Sequence, residues 1–149
     1  MQKFDYQTDM PAAEDLLSIY ALLSKSITRA IRQKTHFTPS MMLALLVIEW
    51  NGTMTMSEIG AKMEMSKSNI CTLIDDLVAK KMLERLFDAN DRRIIKICLT
   101  EKGKTALKNI KQAVSEELQQ RVTVLEPEKL VELREDLTKV RAILKEMMA

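Results

Sequence analysis

The stretch that decides the fold is residues 55–70, TMSEIGAKMEMSKSNI. Thr55 and Glu58 have the spacing of a capping box, in which a hydroxyl and a carboxylate three residues later close the start of a helix. Ser66 is a typical cap for a second helix, which continues with one apolar stripe: Ile70, Leu73, Ile74 and Leu77. We therefore predict two short helices joined by a tight three-residue connection around residues 64–65. This geometry is a helix-turn-helix.

A β-hairpin is predicted directly after these helices. Leu83–Phe87 and Ile94–Leu99 are short β-prone runs, and the turn-forming segment 88–91 (DAND) separates them, followed by Arg92 and Arg93. Three alternate residues of the second run are expected to face inward, with Lys96 facing outward: Ile95, Ile97 and Leu99. The hairpin is thus a small wing with a charged tip.

Helical patterns flank this region on both sides. Residues 12–31 carry apolar side chains at helical spacing, with Pro11 as a first-turn residue, and residues 39–50 form a second helix that Asn51-Gly52 ends. A further helix starts at Thr100, and Pro127 restarts the last one. Its apolar residues follow a heptad seam: Leu130, Leu133, Leu137, Val140, Leu144 and Met147. We interpret this seam as a subunit interface, together with Leu16 and Leu23 of the first helix; the alternative is that the seam packs inside its own subunit.

The predicted fold class is mainly α with a small antiparallel β-wing, a winged helix-turn-helix flanked by N- and C-terminal dimerisation helices. Residues 38–104 form the winged helix-turn-helix, while residues 1–37 and 105–149 form the helical dimerisation region. We expect both parts to make one compact structural unit, since 149 residues suit a single domain.

Composition excludes several classes of protein. No apolar run approaches the roughly 18 residues of a membrane span, and the first ten residues lack a signal-peptide pattern, so a cytoplasmic location is expected. Two cysteines are too few for a disulfide framework, and we expect reduced, buried thiols. With a single histidine, a zinc site rich in imidazole is excluded. We find no nucleophile–base pair, metal cluster or phosphate loop, and therefore expect neither an enzyme nor a cofactor.

The distribution of charge along the sequence indicates that the middle of the chain binds a partner. The net charge is only +2, yet residues 62–104 contain ten lysine or arginine residues against seven acidic ones. A positive surface is expected where a protein meets phosphate, although a solvated face explains a difference of this size equally well.

The candidate contacts with DNA lie at the start of the second helix and at the wing tip. A recognition helix meets base edges in the major groove with its N-terminal residues, which here are Ser66, Lys67, Ser68, Asn69 and Thr72. The alternative is a polar, solvated helix face. Arg92 and Arg93 favour DNA, because a narrow minor groove attracts arginine and a protruding turn offers arginine little structural use. Asp91 is placed to pair with one of them, although a surface ion pair is the simpler interpretation.

These residues also carry a family resemblance. Thr55–Ile59, Ser66–Ile70, Asp91-Arg-Arg93 and the Leu99-Thr-Glu-Lys-Gly103 segment together resemble the multiple-antibiotic-resistance regulator (MarR) family. The aspartate–arginine pattern followed by Leu-Thr-x-x-Gly is the specific part of the resemblance, which extends over nearly the whole chain.

The resemblance implies a homodimer with interleaved terminal helices and two winged heads on an inverted repeat in double-stranded DNA. It further implies a ligand-responsive transcriptional regulator, more often a repressor, whose small effector, often phenolic or anionic, lodges between the dimer helices and the heads. The alternative function is a protein-interaction winged-helix module that has lost DNA binding, which the acidic residues Asp75 and Asp76 favour.

Two positions depart from the family pattern. Glu64 and Lys81 stand where glycine is usual, after the first helix of the motif and after the recognition helix. If the backbone there needs a positive φ, each costs about 1 kcal/mol of strain. Cys71, on the flank of the recognition helix, is interpreted as a small core residue, with oxidation that spoils DNA binding as the alternative.

Overall fold

The computed structural model describes residues 6–88, 91 and 93–147, apart from the side chains of residues 6–10, 120 and 147. The chain divides into two compact units, one up to residue 114 and one from residue 115. Its elements are α1 (Tyr6–Lys34), α2 (Pro39–Asn51), β1 (Met54–Thr55), α3 (Met56–Lys62), α4 (Lys67–Ala79), β2 (Leu83–Phe87), β3 (Ile95–Leu99), α5 (Glu101–Val122) and α6 (Pro127–Met147). The mainly helical fold with a small antiparallel sheet is confirmed. None of the helices in these ranges is long and apolar enough to cross a membrane.

The first helix starts earlier than its apolar pattern indicated. We predicted Pro11 in the first turn of a helix over residues 12–31, whereas α1 begins at Tyr6 and contains Pro11 in its interior. Proline removes one backbone donor and crowds the carbonyl four residues earlier, but only five residues of α1 precede Pro11, so the disturbance is confined to the start of the helix. The last turns of α1 reach the core, where Ala30 and Ile31 are buried.

The core of the first unit joins the helix-turn-helix to the sheet. Its fully buried large side chains include Leu45 and Ile48 of α2, Ile59 of α3, Ile74 and Leu77 of α4, Leu83 of β2, Ile97 of β3, and Leu107 and Ile110 of α5. Because every element from α2 to α5 contributes to this cluster, the recognition helix α4 and the wing are held in one packed body.

The sheet contains a strand that we did not predict. Met54 and Thr55 form β1, which pairs antiparallel with β3 and gives the strand order β1-β3-β2. A strand of two residues is too short to show an alternating apolar pattern in the sequence. Its pairing therefore depends on β3 lying close to it. The capping box at Thr55 is confirmed: the Glu58 amide donates to the Thr55 hydroxyl, and the Thr55 amide donates to the Glu58 carboxylate at 2.7 Å.

The predicted alternation of β3 is wrong at one end. Ile97 is fully buried and Leu99 is half-buried, but Ile95 is 41% exposed. The pleat does place Ile95 on the same face as Ile97. The wing, which we define as β2, β3 and the connection between them, extends beyond the helices that cover its base, so the core face of β3 emerges into solvent at this residue.

Both departures from the family pattern adopt positive φ, which the sequence left open. Glu64 has φ 50° and Lys81 has φ 60°. Each residue ends a helix in a Schellman motif, since the Met65 amide donates to the Gly60 carbonyl and the Met82 amide donates to the Leu77 carbonyl. The connection between α3 and α4 is four residues long rather than three.

A short junction ties the end of the recognition helix to the start of α5. The Thr100 hydroxyl donates to the Lys81 and Met82 carbonyls, at 2.7 and 3.1 Å, and accepts from the Gly103 amide at 2.9 Å. A β-carbon at Gly103 would lie 2.1 Å from the Met82 carbonyl oxygen. The Leu-Thr-x-x-Gly pattern therefore has a structural reason: the threonine links two segments, and only glycine allows the carbonyl so close.

The second unit contains the end of α5 and the whole of α6. Leu133 and Leu137 of the heptad seam are 43% and 45% exposed, while Leu130, Val140 and Leu144 are half-buried. The side chain of Met147 lies outside the described residues. In α1, Leu16 is 41% exposed and Leu23 is half-buried. The assignment of these residues to a subunit interface stays a prediction, and so do the domain boundaries.

Candidate nucleic-acid interface

The start of the recognition helix presents all five predicted contact residues to solvent. Ser66, Lys67, Ser68, Asn69 and Thr72 are exposed, whereas the stripe that begins at Ile70 is buried. The polar and the apolar residues lie on opposite sides of the same helix because each set recurs at helical spacing. The face is therefore free to enter a groove, while its opposite side anchors α4 in the core.

Two of these hydroxyls also have structural partners. The Ser66 hydroxyl accepts from the Asn69 amide at 3.4 Å, which makes it the helix cap that we predicted. The Thr72 hydroxyl donates to the Ser68 carbonyl at 3.1 Å. The Ser66 hydroxyl can still donate its proton to a phosphate or a base acceptor, whereas the Thr72 oxygen can only accept, for example from a base amino group, and the helix already sets the orientation of both. Lys67 and Asn69 therefore remain the most versatile contacts on this face.

The wing tip holds one arginine in a defined direction. Arg93 donates from Nε to Asp91 Oδ1 at 3.0 Å and from Nη2 to Asp91 Oδ2 at 2.9 Å, and its backbone amide donates to the same carboxylate. The Arg93 side chain is nevertheless 91% exposed. A bidentate pair on so exposed a residue orients the guanidinium without hiding it. The predicted pairing of Asp91 is confirmed for Arg93, while Arg92 lies outside the described residues.

The same bonds shift the acid–base chemistry of the tip. The Arg93 side chain, followed by its backbone amide, lowers the pKa of the Asp91 carboxyl. In return, the hydrogen bond from Arg93 to Asp91 raises the pKa of the guanidinium. Both shifts favour the charged forms, in which the two groups attract each other.

The structure adds two ion pairs that sequence reasoning missed. Arg85 of β2 pairs with Asp75 of α4, which links the wing to the recognition helix. Lys96 of β3 pairs with Asp88 at 2.6 Å, and this bond raises the pKa of the lysine. Residues ten and eight apart give no periodic signal. The strand register, which the sequence does not specify by itself, brings them together.

Neither cysteine is as buried as we expected. Cys71 and Cys98 are free thiols of intermediate exposure. Burial, followed by the hydrogen bond to the nearby Glu84 carboxylate, raises the pKa of Cys98, so its reactive thiolate is disfavoured. Within residues 6–88, 91 and 93–147, no three histidine, cysteine or acidic residues lie together in a way that could hold a metal ion.

Comparison with known proteins supports this interpretation of the middle of the chain. Residues 37–94 match the model of the MarR family. The HTH-type transcriptional repressor MdtR of Bacillus subtilis is 28% identical over 101 residues, which are 63% of this chain and 65% of that protein. An uncharacterised HTH-type transcriptional regulator of the same organism, YpoP, is 32% identical over 48% of this chain and 51% of its own length. The matched segments thus span about two thirds or less of these relatives, one of which is named a transcriptional repressor and the other a transcriptional regulator.

Solved structures share the fold over nearly the whole chain. A MarR family protein from Bacillus stearothermophilus superposes with a TM-score of 0.74 at 20% identity, covering 96% of this chain and 99% of that one. A mutant of S. aureus MepR bound to an oligodeoxyribonucleotide gives a TM-score of 0.65 at 21% identity, covering 95% and 99%. At these identities the likeness establishes the winged-helix architecture alone.

Proposed function

Because residues 37–94 form a MarR family winged helix-turn-helix, we propose that this protein is a sequence-specific DNA-binding transcriptional regulator. It binds a pseudo-palindromic operator as a homodimer, in the cytoplasm where the chromosome is accessible. Repression is the direction we favour, since the relative MdtR is named a transcriptional repressor.

The observation that carries the proposal is Arg93. Its guanidinium is 91% exposed and is held by a bidentate pair with Asp91 at the tip of the wing. An exposed arginine in a set direction suits the narrow minor groove, whose negative potential attracts guanidinium. The exposed polar face at the start of α4 supplies the complementary contact with the major groove.

The homodimer rests on apolar surface that a single chain leaves uncovered. Leu16 and Leu17 of α1 are 41% and 68% exposed, and Leu133 and Leu137 of α6 are 43% and 45% exposed. Apolar stripes on terminal helices gain free energy when a second copy covers them. Two heads in such a dimer would read half-sites about one helical turn apart, roughly 34–36 Å. A small phenolic or anionic effector would regulate this spacing.

Selection of bound fragments from the source genome, followed by fluorescence anisotropy on the enriched duplex, tests the function. We expect an inverted repeat, and we expect Arg93→Ala to weaken binding and to reduce the slope of log K against log salt by about one. Arg32→Ala is the matched control, since it removes one exposed charge from the end of α1 and not from the wing.

Two results would contradict the proposal. If no palindrome is enriched and the dimer binds duplex DNA no better than random sequence, the protein is the interaction module of our alternative. The pairing of Asp75 with Arg85 already weakens that alternative, because one of its two acidic residues is engaged within the chain. If Arg93→Ala binds as tightly as wild type, the wing does not contact DNA.

A further inference from the structure

One face of the wing changes from apolar to charged to apolar along its length. Cross-strand partners in an antiparallel pair share a face, and the register pairs Leu83 with Leu99, Arg85 with Ile97 and Phe87 with Ile95. At the base of the wing this face is core, because Leu83 and Ile97 are buried. We call these six residues the inner face of the wing.

An ion pair in the middle of the inner face shows which helix this face is directed toward. Arg85 pairs with Asp75, which lies on the exposed side of the recognition helix. The inner face therefore looks toward α4. Residues beyond Arg85 on the same face continue along the wing, past the helix, into the space that a DNA strand occupies when α4 enters the major groove and the wing reaches the minor groove.

Two large apolar side chains, Phe87 and Ile95, lie on this outer part of the inner face. Phe87 is 68% exposed and its partner Ile95 is 41% exposed. An exposed aromatic residue opposite a β-branched one makes a compact apolar surface, and such a surface needs a reason when the core does not use it. Along the wing the pair lies between two guanidinium groups: Arg85 two residues before Phe87, and Arg93 two residues before Ile95.

We propose that Phe87 and Ile95 form an apolar contact with the deoxyribose of the DNA strand that lies between the recognition helix and the wing tip. A DNA strand presents its sugars between charged phosphates, and along the wing the apolar pair follows Arg85 of the inner face and precedes the tip that holds Arg93. Phe87 and Ile95 would cover the sugar, while Arg93 at the tip reaches the adjoining minor groove and Arg85 stays paired with Asp75. This inference rests on the proposed function and adds a contact that carries no charge.

The charges on the wing argue against a second copy of the chain as the occupant. Two wings that packed through Phe87 and Ile95 would draw the neighbouring Arg93 side chain, which is 91% exposed, out of water without giving it a new partner of opposite charge. Desolvation of a charged group opposes such an association. Duplex DNA offers the opposite charge beside the apolar surface that the pair needs.

Anisotropy measured over a series of salt concentrations separates an apolar contact from a charged one. We expect Phe87→Ala to weaken binding to the selected operator about tenfold at every salt concentration, leaving the salt slope as in wild type. Phe87→Leu should recover most of the loss, because it restores the apolar surface. Ile95→Ala should weaken binding in the same way but less, since less of its surface is exposed.

Leu86→Ala is the matched control. Leu86 lies on the same strand, is 44% exposed, and pairs with Lys96 on the opposite face of the wing. It resembles Ile95 in exposure and chemistry and differs in the direction it faces. We expect it to bind DNA as wild type does, and we expect all three alanine variants to melt within a few degrees of wild type, since these side chains lie outside the core.

The outcomes separate the inference from the function on which it rests. If wild type binds the operator and Phe87→Ala and Ile95→Ala bind within twofold of it, the apolar contact is wrong and the function stands. Equal losses in Leu86→Ala would also overturn the contact, because the effect would not depend on the face. If Phe87→Ala instead reduces self-association in sedimentation velocity without changing DNA affinity, the occupant is a second copy. If wild type binds no duplex, both proposals fail.

Discussion

The base and the tip of the wing are built from the same two strands but are stabilised in different ways. At the base, Leu83 and Ile97 are buried, and the Thr100 hydroxyl bonds two carbonyls and an amide. At the tip, Phe87 is 68% exposed, and among the described residues Arg93 bonds to Asp91. The base determines where the wing points, while the tip contributes little to folding. Substitutions at the base should therefore change stability, and substitutions at the tip should change binding.

The largest effect is expected at the base, from Gly103→Ala. The added β-carbon would meet the Met82 carbonyl oxygen at 2.1 Å, and that carbonyl cannot move without losing its bond from the Thr100 amide. We expect a loss of about 3 kcal/mol in the free energy of unfolding, measured by urea denaturation. Gly60→Ala is the control, because its β-carbon would lie 3.5 Å or more from every neighbour. A loss of less than 1 kcal/mol in Gly103→Ala would show that the junction is pliable.

Thr100→Val should have the next largest effect. Valine keeps the shape but removes the hydroxyl that links the end of α4 to the start of α5, so we expect a loss of about 1–2 kcal/mol. Thr105→Val removes a hydroxyl that bonds only the Glu101 carbonyl one turn earlier in an exposed position, and should cost little. Equal losses in the two variants would mean that the junction contributes no more than an ordinary surface hydroxyl.

Lys81→Gly should stabilise the base. Lys81 has φ 60°, a conformation that glycine adopts without strain, so relief of strain should exceed the added entropy of the unfolded chain by about 0.5–1 kcal/mol. Lys80→Gly is the matched control, since its φ is −75° and glycine there should destabilise by a similar amount. Thermal unfolding of both variants checks the prediction, which requires that the two changes have opposite signs.

The smallest effect on stability is expected at the tip, from the pair of Asp91 and Arg93. This effect is measured through the titration of the Asp91 carboxyl. Asp91 has a pKa lowered chiefly by the Arg93 side chain. A lowered pKa means that the pair stabilises the fold above the pKa of the unfolded carboxyl, and that this contribution is lost as pH falls through the folded pKa. A carboxyl titration by NMR should show the Asp91 midpoint rising toward its ordinary value in Arg93→Ala, with the unfolding transition at pH 7 nearly unchanged. An unchanged midpoint would mean that the pair does not form in solution.

Much of this architecture could be predicted from short-range patterns. The capping box at Thr55 and Glu58, the cap at Ser66 and the two glycine-like positions at Glu64 and Lys81 all depend on neighbours within a few residues. Local bonds of this kind leave a signature in the sequence because the residues that make them are at fixed offsets. The same applies to the two strands of the wing, β2 and β3, whose bounds were predicted to within one residue.

What could not be predicted depends on contacts between distant segments. The strand β1 exists because Met54 and Thr55 lie beside β3, and Ile95 is exposed because the helices end before the wing does. The Asp75–Arg85 pair needs both the helix and the strand register to be in place. No periodic pattern records such distances, so the direction of the inner face of the wing was not available from the residues alone.

The sequence by itself therefore determined three local parts of the fold: a capped helix-turn-helix, a wing with a charged tip, and the Leu-Thr-x-x-Gly junction that follows the wing. Each follows from residues close together in the chain, where local hydrogen bonds and steric limits act directly. Only the tertiary structure decided how these parts face one another, because packing turned Arg85 toward Asp75 and left Phe87 and Ile95 on the surface beyond that pair. The physical reason is that orientation is a property of the packed core, to which many distant residues contribute at once.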